Sequence, residues 1–294
     1  MTMRHPIRYR LEWLTLVFLR VFARVLPASL AGSFGGWLGR CVGLIWCRRR
    51  RIAQENLARA FPEWQTAKIH QVAGSVFQNL GQTTFEILRI SSGTSRRLLS
   101  QVDSPALDIL KDAYREGKGG LLLSGHIGNW ELFAGWIRAL GYPLDVVVKP
   151  MRNPLSDSFY NARRRDLDIG IIHTQVATRG IVQAVRQKRL VAILADQYAG
   201  EDGVEVEFFG RKVSTPRGPA VLALKFGCPI LSGAMIRMPD GRFRVEIDEP
   251  LKHQPTGDDE EDVVALTQAF TSRLENHIRR HPDQWLWTHR RWRD

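Results

Sequence analysis

From Gly120 to Ile247 the chain alternates short apolar runs with amphipathic stretches, and this alternation restricts the fold more than any other feature. The runs Gly120–Ser124, Leu144–Lys149, Gly170–His173, Leu190–Ala195, Val204–Phe209, Ile230–Ile236 and Phe243–Ile247 predict strands. Between or after them, Asn129–Leu140, Asp157–Asp166, Thr178–Lys188, Pro216–Phe226 and Asp259–His281 predict helices. Strands apolar on both faces must be covered on both faces. The pattern therefore implies an α/β fold with a largely parallel or mixed central sheet flanked by helices. The runs near 204–209 and 243–247 are expected to add antiparallel edges. Upstream, helices are expected from near Arg51 to Phe61, over Thr66–Ile90 and over residues 104–116.

The first 51 residues differ from the rest. They hold ten arginines against one glutamate, which is +9 of the chain's net +12. A nucleic-acid-binding enzyme spreads basic residues over its working surface, so no nucleic-acid partner is expected. Basic and apolar residues together suit an anionic membrane face. The stretches 11–26 and 25–39 are apolar but short or broken by Arg20, Arg24 and Arg40, so neither predicts a clean spanning helix. The expectation is a hydrophobic, helical, membrane-associating segment over 1–51, lying in the interface with its arginines reaching phosphates. A core helix pair of a soluble domain is the alternative. Residues 52–294 are expected to form a single α/β domain. The three cysteines are scattered, and neither a disulfide framework nor a metal or cofactor site is expected.

The chemistry concentrates in Leu121–Glu131, LLLSGHIGNWE. An apolar strand runs into Gly125 and His126, and a helix starts near Asn129, its expected cap. Functional sites in open α/β sheets lie at such strand ends. On one straight helix His126 and Glu131 would point about 140° apart, but a turn between them can bring them together. Glu131 would then hold one imidazole nitrogen and leave the other free as a base. A strand–turn–helix with a merely structural histidine is the competing reading. Ser124 does not sit in a nucleophile elbow, and Thr215–Pro219 lacks the ending of a phosphate loop.

GHIGNWE resembles the HX4E/D motif of the lysophospholipid acyltransferase superfamily, and most closely that of the bacterial late acyltransferases of lipid A biosynthesis. Further segments are similar in order and spacing: Lys149–Asp157, Arg163–Arg165, Asp196-Gln197, Phe208–Gly210, Thr215–Gly218 and Gln284–Trp292. The GNW core is also similar to acyltransferases that modify phosphatidylinositol mannosides. The resemblance implies His126 as general base and Glu131 as its orienting carboxylate. It implies Arg163 or Arg164 as an active-site arginine, Asp196 with Gln197 beside the same pocket, and Lys149 and Asn153 in a loop near the substrate entrance. Asn129, within the motif, joins the expected substrate-binding set. Duller readings remain for several: a solvated helix face for the arginine triplet, a helix cap for Asp196, and packing anchors or interface residues for Trp285, Trp287 and Trp292.

The resemblance further implies transfer of a fatty acyl chain from a thioester, carried by acyl carrier protein or CoA, to a hydroxyl of a lipid A precursor. The acceptor alternatives are another glycolipid or a lysophospholipid. The oxyanion would need backbone amides at the Asn129 helix start or a nearby arginine. The expected setting is the cytoplasmic face of a bacterial inner membrane, and the expected state is a monomer. A non-catalytic peripheral protein binding anionic lipid would explain residues 1–51, but not the motif set.

Overall fold

The computed structural model describes residues 6–115 and 117–293. Residues 1–5 of the N-terminal segment, and Glu116 at the end of the helix expected over 104–116, lie outside them. Helices α1 (Pro6–Val25), α2 (Ala28–Ile45), α3 (Cys47–Ala60) and α4 (Thr66–Leu88) come first, followed by α5 (Thr94–Gln101), β1 (Val102–Asp103) and α6 (Leu107–Arg115). Then β2 (Gly120–Ser124), α7 (Trp130–Ala139), β3 (Leu144–Val148), α8 (Pro154–Asp166), β4 (Gly170–His173), α9 (Ala177–Arg186) and β5 (Leu190–Leu194) alternate. The chain ends with β6 (Val204–Phe208), β7 (Arg211–Thr215), α10 (Gly218–Phe226), β8 (Ile230–Arg237), β9 (Phe243–Asp248) and α11 (Asp259–Arg280).

Seven strands form one sheet in the order β1-β9-β8-β2-β5-β3-β4. All pairings are parallel except β8 with β9. The expected largely parallel sheet is present, and 243–247 supplies its antiparallel element. Residues 204–209 do not edge this sheet. They pair with β7, a polar strand the apolar pattern gave no reason to expect, in a separate antiparallel ribbon. Val204, Val206 and Phe208 point inward from that ribbon, and Phe208 packs on Trp285 and Trp292.

Strand β2 is buried along its whole length. Leu121 and Leu123 face one apolar layer with α3, α4, α10, α11 and the C-terminal tryptophans, while Leu122 faces the other with α7. Because both faces are covered, only the strand's C-terminal end is open to a ligand.

Helices α1 and α2 lie outside these two layers and pack with the end of α4 and with α8 in a third apolar cluster. Pro27 separates α1 from α2, as its missing N–H and fixed φ require. Helix α2 approaches α4 closely through glycine: a Cβ on Gly39 would lie 2.1 Å from the Phe77 carbonyl oxygen. Arg20, expected to reach lipid phosphates, instead donates to the carbonyls of Leu88 and Ile90 at the end of α4. Arg89 donates in return to Ala23 and Leu26 at the end of α1. Each arginine satisfies carbonyls that a helix C-terminus leaves without partners.

Candidate active site

Parallel register builds the site. Ser124 at the end of β2 lies opposite Leu194 at the end of β5. Two residues further along each strand, His126 meets Asp196. The His126 N–H donates to Asp196 Oδ2 at 2.7 Å, and His126 Nδ1 lies 2.8 Å from Asp196 Oδ1. Trp285 Nε1–H donates to Oδ2 at 2.8 Å. The Asp196 side chain is 2% exposed and that of His126 is 20% exposed, so the carboxylate is sealed while the imidazole reaches the surface of a cleft.

These contacts set the charges. Burial alone would raise the Asp196 pKa, but the imidazole charge and the hydrogen bonds from His126 and Trp285 outweigh it and hold it at about 2. Burial likewise opposes the His126 imidazolium. Attraction and hydrogen bonding from Asp196, with Glu131 also contributing, overcome it and raise the pKa above the ordinary value. Asp196 is therefore an anion, and the imidazole is more basic than a free one.

The turn after His126 is fastened on three sides. Gly128 has φ +59°, and a Cβ there would lie 1.9 Å from the Met235 carbonyl oxygen, so glycine is required. The Asn129 N–H donates to that oxygen, the Gly128 N–H to Gln284, and the Leu286 N–H to His126. From α4, Thr83 donates to the Gly128 carbonyl, and Glu86 accepts from Asn129 Nδ2 at 2.7 Å. Glu86 is itself gripped through both oxygens by Arg237. Asn129 Oδ1 caps α7 by accepting from the Leu132 N–H, as the sequence predicted.

The expected His126–Glu131 hydrogen bond is not formed. The carboxylate that holds the imidazole is Asp196, because strand register brings it alongside, whereas Glu131 in the first turn of α7 projects toward α8. There it accepts from Arg164 through both oxygens, Nη2 to Oε1 at 2.5 Å and Nε to Oε2 at 3.1 Å. Arg164 also donates to Asn161, which donates to Asp157, which accepts from the Met151 N–H. This chain links the motif to the loop beginning at Lys149.

A cleft of about 740 Å³ collects His126, Glu131, Lys149, Arg164 and Gln197, with Trp130, Tyr160 and apolar residues of β3 and β5 as walls. The Trp130 ring stands edge-on to His126 at 5.0 Å. Burial and the Glu131 charge push the Tyr160 hydroxyl above its ordinary pKa, keeping it neutral. Four expected residues are not brought to the cleft wall. Asp196 is sealed behind His126 and supports it rather than facing substrate. Asn129 is fully buried between Glu86 and α7. Asn153 caps α8 and donates to Tyr9 and Glu12 of α1. Arg163 pairs with Asp166 and lies over Phe159, so the triplet presents Arg164 rather than Arg163. The amides of Ile127, Gly128 and Asn129 are already bonded. Sequence reasoning missed Glu86 and Trp285 as supports of the site. Glu86 carries no local signal, being one polar position on an amphipathic helix. Trp285 stood within a similar tail segment, but its indole N–H could not be assigned a partner in advance. The tail tryptophans Trp285, Trp287 and Trp292 are buried and serve packing, not a membrane interface.

The chain matches the bacterial lipid A biosynthesis acyltransferase family over residues 1–294. It belongs to that family. It is 28% identical over 292 residues to the lipid A biosynthesis palmitoleoyltransferase of Escherichia coli K12, covering 98% of this chain and 92% of that protein. Identity to the lauroyltransferase of the same organism is 26% over 293 residues, covering 98% and 93%. Identity to the phosphatidylinositol mannoside acyltransferase of Mycobacterium tuberculosis H37Rv is 26% over 246 residues, covering 81% and 76%. The chain is thus an enzyme that transfers acyl groups.

The division of the arginine triplet is directly testable. Arg164→Ala releases Glu131 inside the cleft and should lower kcat/KM by about tenfold or more, since a charge-assisted bidentate pair is lost. Arg163→Ala should stay within about twofold of wild type. Steady-state kinetics showing the reverse order would mean that the cleft is lined differently.

Proposed function

We propose that the enzyme moves a fatty acyl chain from a thioester to a hydroxyl of a lipid A precursor, with His126 as general base. The observation that carries this reading is the buried, ionised Asp196 bonded to Nδ1 of a partly exposed His126. With Nδ1 protonated toward Asp196, Nε2 is left to take the hydroxyl proton as that oxygen attacks the thioester carbonyl. The tetrahedral intermediate then collapses, the C–S bond breaks, and the departing thiolate takes the proton from His126. General-base help of this kind supplies roughly 10²–10⁴-fold. Asp196 is a positioning residue: it fixes the tautomer and steadies the imidazolium. Glu131 and Arg164 form a charged wall that positions the acceptor. The first two amides of α7, on Trp130 and Glu131, are the backbone donors for the oxyanion, because those preceding them are occupied.

The acyl donor is acyl carrier protein or acyl-CoA, and the acceptor class extends to related glycolipids, which the mannoside-modifying relatives favour. The setting is the cytoplasmic face of a bacterial inner membrane. Among the described residues no helix is long and apolar enough to cross a membrane. Helix α1 instead exposes Ile7, Leu11, Leu14, Phe18, Val21 and Val25, a single stripe at steps of three and four residues. Fully burying such side chains yields about 1.5–3 kcal/mol each. Half of that from six residues is about 4.5–9 kcal/mol, the same order as about 1 kcal/mol for each of the ten arginines of residues 1–51 near an anionic surface. Salt screens the charge contribution and leaves apolar insertion in place.

The membrane reading predicts that the full chain floats with phosphatidylglycerol vesicles in 1 M salt (roughly a 3 Å Debye length), and that Leu14→Asp with Phe18→Asp abolishes flotation. Release of the wild-type chain by salt alone would leave only electrostatic attachment.

The catalytic reading is tested by labelled acyl transfer with purified protein. His126→Ala should lose roughly 10²-fold or more of kcat while melting near wild type. Asp196→Asn should lower kcat and move the acid limb of kcat/KM to lower pH. Without the anion, burial alone acts on His126 and depresses its pKa, so the neutral base persists further into acid. Normal transfer by His126→Ala, or an acid limb unmoved in Asp196→Asn, would refute the assignment.

A further inference from the structure

An apolar groove of about 450 Å³ lies between α2 and α4, outside the catalytic cleft. Leu38 and Val42 of α2 and Phe77 and Phe85 of α4 form its walls. At one end it shares Leu80, Thr84 and Leu286 with the cleft that holds His126. At the other, Trp46, Arg49 and His289 border both the groove and a hollow of about 390 Å³ walled by Arg48, Arg290 and Arg293. A neighbouring hollow of about 380 Å³ adds Arg51 and shares Arg48 and Arg290.

Positive charge here is unbalanced. Glu55 is the one carboxylate among the described residues lining either hollow, against five arginines. Arg48, Arg51 and Arg290 form no ion pair among the described residues. Arg49 is oriented by the Thr288 carbonyl and by the Trp46 ring, and Arg293 lies over Tyr198. Helix α3 starts at the same place with no side-chain cap, so the positive end of its dipole adds to the field. His289 Nδ1 is buried nearby without a hydrogen-bond partner. Planar guanidinium groups gathered without carboxylates match phosphate oxygens.

Neither half of the site explains the other in isolation. A soluble phosphate would leave the groove wet, and an acidic protein surface would not fill a channel this apolar. The exposed Trp37, Leu44, Ile45 and Trp46 around it suit access from a bilayer. We propose that the α2–α4 groove and the adjoining arginine hollow form one site for a phospholipid drawn from the bilayer, its hydrocarbon chain in the groove and its phosphate among Arg48, Arg49 and Arg290. Access to this site rests on the membrane-facing reading of α1 and α2 above, but its binding chemistry needs no turnover.

The test uses the purified full chain in neutral-detergent micelles, titrated with dilauroyl phosphatidic acid or dilauroyl glycerol and read by native mass spectrometry. The phosphate should tighten binding by about tenfold or more, as charge-assisted hydrogen bonds do. Arg48→Gln with Arg290→Gln should remove most of that preference while leaving dilauroyl glycerol binding unchanged. Val42→Trp, which fills the groove, should weaken both lipids. Equal binding of the two lipids by wild type overturns the proposal. So does a double variant that loses acyl carrier protein but keeps phosphatidic acid, because the arginines then serve a protein partner. Kinetics and vesicle binding of the double variant identify the source of the phosphate. An unchanged KM with weaker binding to phosphatidylglycerol vesicles supports a bilayer phospholipid. A KM raised for a phosphorylated acceptor, but not for its dephosphorylated form, makes the acceptor the occupant and overturns the proposal. Absence of turnover altogether would defeat the acyltransfer reading and leave the phosphatidic acid result standing.

Discussion

A single buried carboxylate joins the parts of this protein that have to meet. Asp196 accepts from the backbone and ring of His126 and from the indole of Trp285. It thereby ties the end of β5 to the turn after β2 and to the C-terminal segment. Burying an unpaired carboxylate is costly, and a missing partner would leave it uncompensated. The turn, the strand and the tail are consequently held as one unit, and the imidazole is held with them.

A second layer of polar contacts supports the first from outside the sheet. Arg237 and Glu86 form a bidentate pair that passes through Asn129 into the start of α7, and Thr83 fixes the turn carbonyl next to it. On the opposite side, Glu131 and Arg164 extend the network across α8 to the loop beginning at Lys149. Helix α1 reaches the same helix through Asn153, so the element proposed to contact the membrane is coupled to the wall of the cleft. On the proposed reading, lipid engagement and acceptor positioning would share this path.

Much of this was legible in the sequence, and the failures have identifiable causes. Apolar runs located seven of the nine strands among the described residues, because strands such as β2 and β8 are buried on both faces and are mostly apolar. Strand β7, Arg211–Thr215, escaped because it pairs in a ribbon with mostly polar, exposed positions. Asn129 was readable as a cap from its place before an apolar helix. The partner of His126 was not readable, since 70 residues separate it from Asp196 and only parallel register makes them neighbours. An intervening turn and the resemblance to the family motif favoured Glu131, which is local in sequence but directed at α8. Arg20 misled for a related reason: an arginine in an apolar helix suits a lipid phosphate and an orphan helix carbonyl equally well until the neighbouring helix end is known.

The central claim is that Asp196 holds the proton of neutral His126 on Nδ1 and leaves Nε2 as the base. Nitrogen-detected NMR of the histidine-labelled full chain, titrated with pH and assigned through His126→Gln, measures this directly. The account predicts an Nδ1–H tautomer for His126 and a pKa above the ordinary value of 6.5. An Nε2–H tautomer, or a pKa at or below 6.5, would contradict it.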